Sequence, residues 1–142
     1  MKEFRTIIDT SPNKSSPSKF ASNKVELSLA QKFCFNISLD TQGYGTKPDN
    51  NEAGKISIRV GKSPQAVDNN NIIKVIEAIA AKGHTFSPVT FKGGIRKTAY
   101  FEQMQLFVLD FDGTISLQEA YARARQYELP ILFAYETFSS VN

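Results

Sequence analysis

The chain has 142 residues and a net charge of +3, with 41% hydrophobic and 22% charged residues; this suits one soluble globular domain spanning 1–142 and excludes a disordered or fibrous chain. Its longest apolar runs, 106–109 and 130–135, are far too short to span a bilayer, and the opening "MKEFRTIID" has no apolar h-region; no membrane partner is expected, and the cytoplasm is the expected location. A single cysteine excludes an internal disulfide, and Cys34, set between Phe33 and Phe35, reads as a buried, inert thiol.

The elements follow in chain order. Residues 4–9 read as a first strand and 10–19, rich in Ser, Pro, Asn and Lys, as a basic loop. Residues 23–39 fit a strand by the alternation of Val25, Leu27 and Leu29, and a helix by the stripe Leu27, Ala30, Cys34. The polar, glycine-rich stretch 40–54 reads as a loop or hairpin connection. "KISIRVGK", 55–62, alternates Ile56, Ile58 and Val60 with Lys55, Ser57 and Arg59, which predicts a half-exposed strand with a basic outer face.

Asn70 or Asn71 is placed to cap a helix with an apolar face of Ile72, Ile73, Ile76, Ile79 and Ala80, ended by Gly83 in the left-handed region. Residues 85–91 read as a short strand, 92–97 as a basic turn and 99–105 as a short helical piece. "LFVLDFD", 106–112, opens with four apolar residues, the pattern of a central strand buried on both faces. Ser116 and Glu119 form a capping box for a helix over 117–128, with Leu117, Ala120, Tyr121 and Ala124 inward and Pro130 as its stop. Residues 131–138 read as a last strand with an open edge, able to pair with a second copy or with a further half of the protein. The fold class is α+β, or α/β, with a mixed sheet of roughly five strands and two or three helices.

On a strand, Asp110 and Asp112 project from one face. Two carboxylates so close repel, and a divalent cation removes the conflict; hard oxygen ligands suit Mg²⁺ or Mn²⁺, which bridge to substrate phosphates. An exposed D-x-D that only caps the loop at Gly113 is the competing reading. Upstream, "TFKGGIRK" places Lys92, Arg96 and Lys97 around Gly93 and Gly94, where backbone N–H groups can approach an anion. A tight turn with solvated lysines explains the same residues. Charge is uneven along the chain: 15 Lys/Arg against 8 Asp/Glu in 1–100, net +7, and 2 against 6 in 101–142, net −4. A basic front and an acidic end suit a site that collects anions and holds a cation. Lys14, Lys19, Lys55, Arg59 and Lys62 are further candidates for contact with nucleic acid. His84 is one imidazole with too few companions for zinc and is assigned a packing role at a helix end.

The segment "LDFDGT" resembles the first motif of haloacid dehalogenase-like phosphatases, which implies Asp110 as nucleophile and Asp112 as acid/base. In that family the motif lies on the first strand, whereas here about a hundred residues precede it and 28 follow Thr114. A longer stretch, 87–140, resembles the front of the archaeo-eukaryotic primase-like (primase-polymerase) domain of replication proteins from plasmids, phages and integrative elements. The resemblance is carried by T-F-K-G-G-x-R, a glutamine-containing lead into an apolar run ending in D-x-D, the segment "LQEAYARARQY", and the Thr/Ser-rich "YETFSS".

It implies metal-dependent nucleotidyl transfer from nucleoside triphosphates on DNA, or RNA, with Asp110 and Asp112 as the first metal motif. Thr137, Ser139 and Ser140 lie where the second motif begins, and Ser139 is a candidate phosphate contact. The further acidic motif has no counterpart, so these residues alone are expected to be inactive. The competing expectation is a non-enzymatic protein of a mobile element that binds DNA or a protein with a truncated fold of this kind.

Overall fold

The computed structural model describes residues 32–111 and 115–137. The expected strand 4–9, the loop 10–19 with Lys14 and Lys19, and Asp112, Thr114, Ser139 and Ser140 lie outside them.

Strand β1, Cys34–Leu39, is the centre of a three-stranded antiparallel sheet. It pairs with β2, Pro64–Asp68, in the register Cys34 opposite Asp68 through Ser38 opposite Pro64. On its other side it pairs with β3, Phe86–Ser87. The alternation that marks a half-buried strand puts Phe35 and Ile37 inside. Cys34 falls on the opposite phase and is exposed, which corrects the expectation of a buried thiol.

Helix α1, Asn50–Lys62, occupies the span whose second half alternates like a strand. Asp49 caps it, its carboxylate accepting from the N–H groups of Asn51 and Glu52 at 2.9 and 3.0 Å. Ile56 and Val60, four apart, make the buried stripe, and Ile58 is left 58% exposed. A capped helix with acid first and base last wins over three alternating branched residues. The signal was present as Asp49-x-x-Glu52, the spacing of a capping box.

Helix α2, Ile72–Ile76, runs on into a π-helical turn over Glu77–Ala81. Its buried residues are Ile72, Val75, Ile76 and Ile79, while Ile73 points to solvent. Asn71 holds the N-cap position without a side-chain cap; instead its Oδ1 accepts from the Asp68 N–H at 2.9 Å. Gly83 ends the helix at φ 67°, as expected. The core joins Phe35, Ile37 and Val67 to this helix face, with Leu106, Leu132, Phe133 and Tyr135 packed at its border.

Pro88 divides the expected strand 85–91 into β3 and β4, Val89–Phe91, because proline has no N–H for the ladder. Strand β4 pairs antiparallel with β5, Phe101–Met104, as a separate two-stranded sheet. Among the described residues the five strands thus lie in two antiparallel sheets rather than one mixed sheet, and the class is α+β. Helix α3, Leu117–Gln126, begins as read: the Ser116 hydroxyl accepts from the Glu119 N–H at 3.2 Å.

Two further expected strands, 106–112 and 131–138, are not formed among the described residues. Residues 105–111 carry no regular structure, and Phe107, Val108, Leu109 and Phe111 are 86, 48, 69 and 49% exposed. The open flank of β1 beside them is taken by a side chain: Gln105 Oε1 accepts from the Asn36 backbone N–H at 3.0 Å. A further strand would need that donor. Residues 131–137 show a single bridge residue, Ala134, and pack on the core through side chains. They present no open edge strand, and α3 is not flanked by paired strands. No helix among the described residues is long and apolar enough to cross a membrane.

Candidate nucleic-acid interface

The turn after β4 is built by its two glycines. Gly93 and Gly94 have φ of 62° and 71°, a left-handed pair that side chains resist. The chain reverses over Lys92–Gly94 and a second short turn, Thr98–Tyr100, leads into β5. Lys92, Arg96 and Lys97 are all exposed. None of the three makes an ion pair among the described residues.

The C-terminal end of α1 lies directly beneath this turn. A Cβ on Gly61 would meet Gly94 O at 2.6 Å and Arg96 N at 3.1 Å. The stem of Lys62 covers Gly94, where an added Cβ would sit 3.0 Å from the lysine Cγ. Packing thus brings the exposed Lys62 up to the turn that carries Lys92, Arg96 and Lys97, joining cations from two separate sequence segments. Beside it is a pocket of about 390 Å³ lined by Ser87, Val89, Phe91, Arg96, Lys97, Thr98 and Phe101.

The other basic residues of 55–62 are engaged elsewhere. Lys55 Nζ lies 2.7 Å from Glu52 Oε1. That hydrogen bond raises the lysine pKa and is the largest cause of the lowering of Glu52's. Arg59 grips Asp40, which is 1% exposed, and the same hydrogen bond, its largest influence, keeps the guanidinium firmly protonated. Arg59 also donates to the Tyr44 hydroxyl at 2.6 Å, which donates to Glu52 Oε2 at 3.0 Å. Burial, then the bond to Glu52, raises the Tyr44 pKa.

His84 Nδ1 lies 2.8 Å from the backbone oxygen of Asp40. A carbonyl only accepts, so Nδ1 carries the proton, and His84 has the helix-end packing role expected of it. Asp40 and His84 line a second concavity of about 400 Å³ with Thr41, Ser63 and Gln65. Sequence reading missed this knot of Asp40, Tyr44, Glu52 and Arg59. Its only local trace is an acid ending the alternating run "CFNISLD".

Asp110 stands exposed in the irregular stretch after β5. Its carboxylate bears on Tyr135, whose pKa is raised first by burial and then by the Asp110 charge. No hydrogen bond or ion pair among the described residues joins Asp110 to the turn at 92–97, and Asp110 lines neither pocket. The same-face relation expected of Asp110 and Asp112 rested on a strand that residues 105–111 do not form. Among the described residues no three His, Cys, Asp or Glu side chains converge as a metal site.

No protein-family model, no curated protein and no solved structure matches this chain.

Proposed function

We propose that this chain is a nucleic-acid-binding part of a mobile-element replication protein, of the primase-polymerase type that residues 87–140 resemble, acting in the cytoplasm. The observation that supports the reading is the set of exposed cations Lys62, Lys92, Arg96 and Lys97, joined by the packing of α1 on the glycine turn. Compact anionic ligands could be met by fewer cations; exposed cations drawn from two segments suit a phosphate chain. Four phosphate contacts on a single strand give a salt slope of about −3 in log–log form, hence about 50-fold weaker binding between about 50 and 200 mM salt.

Fluorescence anisotropy with a labelled oligothymidylate tests this. Lys92→Ala, Arg96→Ala and Lys97→Ala together should remove most of the slope. Tight binding that ignores salt, or a triple variant that binds like the parent, would sink the reading.

Nucleotidyl transfer is the second reading and rests on Asp110, an exposed hard oxygen donor that fits Mg²⁺ or Mn²⁺ still carrying water. Asp110, with Asp112 as the resemblance implies, would hold the ion, which when bound would polarise the α-phosphate of a nucleoside triphosphate. Titration of Mn²⁺ with a nucleotide, against Asp110→Asn as control, tests it. Binding indifferent to that change would end the reading. Hydrolysis of a generic phosphomonoester that requires Asp110 would favour the phosphatase instead.

A further inference from the structure

In the hairpin of β4 and β5, Thr90 is 1% exposed and donates through Oγ1 to Glu102 Oε2 at 2.9 Å. Of its two rings, Phe101 is exposed and Phe91 half-buried. Ser87, Val89 and Phe91 alternate along one face of β3 and β4. Phe101 stands opposite Phe91 in the register, so both rings share that face. A register shift between Thr90 and Phe91 helps to aim them. Phe101 is 49% exposed, an apolar ring that burial could have stabilised elsewhere. These residues line a hollow of about 390 Å³ that is open to solvent. Arg96, Lys97 and the Thr98 hydroxyl complete its lining.

We infer that this pocket seats one nucleobase of a phosphate-linked strand, its flat face against Phe101 and its flanking phosphates on Arg96 and Lys97. The inference rests on the nucleic-acid reading above and names the part of the ligand that this reading leaves open. The chemistry is a match of three kinds. An apolar π-face accepts any base by stacking, a guanidinium adds a cation–π contact, and two exposed cations meet the phosphates on either side. A lipid headgroup or an acidic peptide would use the cations and leave the rings idle.

The test compares two fluorescent probes of equal phosphate count, an oligothymidylate and an abasic strand of the same length. The parent protein should bind the oligothymidylate about tenfold more tightly, the size of one stacked base. Phe101→Leu should bring the two probes to parity by weakening the oligothymidylate alone, with the salt slope unchanged. Phe101→Trp should restore the preference, which a merely structural role would not do. Circular dichroism of each variant reads its folding separately.

Competition by thymidine triphosphate identifies a free nucleotide as a sufficient source of the base. Its failure, with the preference for oligothymidylate over the abasic strand intact, assigns the pocket to a strand; competition that Phe101→Leu leaves unchanged counts against the seat. Equal, salt-dependent binding of both probes by the parent overturns the seat and leaves the cationic turn standing. Failure to bind either probe overturns both.

Discussion

Arg59 holds Asp40 at two points, with Nε 2.6 Å from Oδ1 and Nη2 3.0 Å from Oδ2. The carboxylate is 1% exposed and also accepts from the Gln42 N–H at 3.0 Å. This pair ties the end of β1 to the last turn of α1. Arg59→Met leaves the Asp40 carboxylate buried without a cation and should destabilise the fold. Asp40→Asn removes the buried charge and keeps the shape, so it should cost less. Urea unfolding of both variants checks the order; a smaller loss for Arg59→Met would show that the pair contributes little.

Two glycines of α1 predict opposite outcomes for one chemical change. Nothing lies within 4 Å of a Cβ on Gly54, so Gly54→Ala should stabilise by about 0.5–1 kcal/mol. Gly61→Ala drives a methyl into Gly94 O at 2.6 Å and should destabilise by about 1–3 kcal/mol. It should also weaken oligothymidylate binding, because the cationic turn is what gives way. Thermal melts and anisotropy read the two effects; a stabilising Gly61→Ala would contradict the contact.

Glu52 links stability to pH. The hydrogen bond from Lys55, then that from Tyr44, holds its carboxyl below the ordinary 4.5. A lowered value in the folded state means that the contribution is complete above the unfolded value and lost as pH falls through the folded one. Glu52→Gln should therefore lose stability less steeply than the parent below about pH 4.5. Parallel acid curves for the two proteins would remove Glu52 from the account.

Tyr135 reports on Asp110. Burial is the larger cause of its raised pKa and the Asp110 charge the second. Asp110→Asn should lower the pKa of this phenol part of the way and leave it above the ordinary 10.0. The ultraviolet titration difference between each protein and its Tyr135→Phe counterpart isolates the signal. An unchanged midpoint would separate the two residues in space.

The chain's own letters were enough wherever a rule is satisfied by near neighbours. Ser116 with Glu119 starts α3, Gly83 stops the helix before it, and the K-G-G run makes a turn: each is a backbone donor, acceptor or dihedral answered within a few residues. Alternation misled at 55–62 because the Asp49 cap and the Ile56–Val60 stripe outweighed it. The apolar run 106–109 misled for a different reason. A strand exists only where another strand leaves its N–H and C=O groups open, and Gln105 had already claimed one on β1. The union of Lys62 with the 92–97 turn, and the outward aim of Phe101, are likewise products of packing. They depend on which surfaces meet across dozens of residues, and no local pattern carries that information.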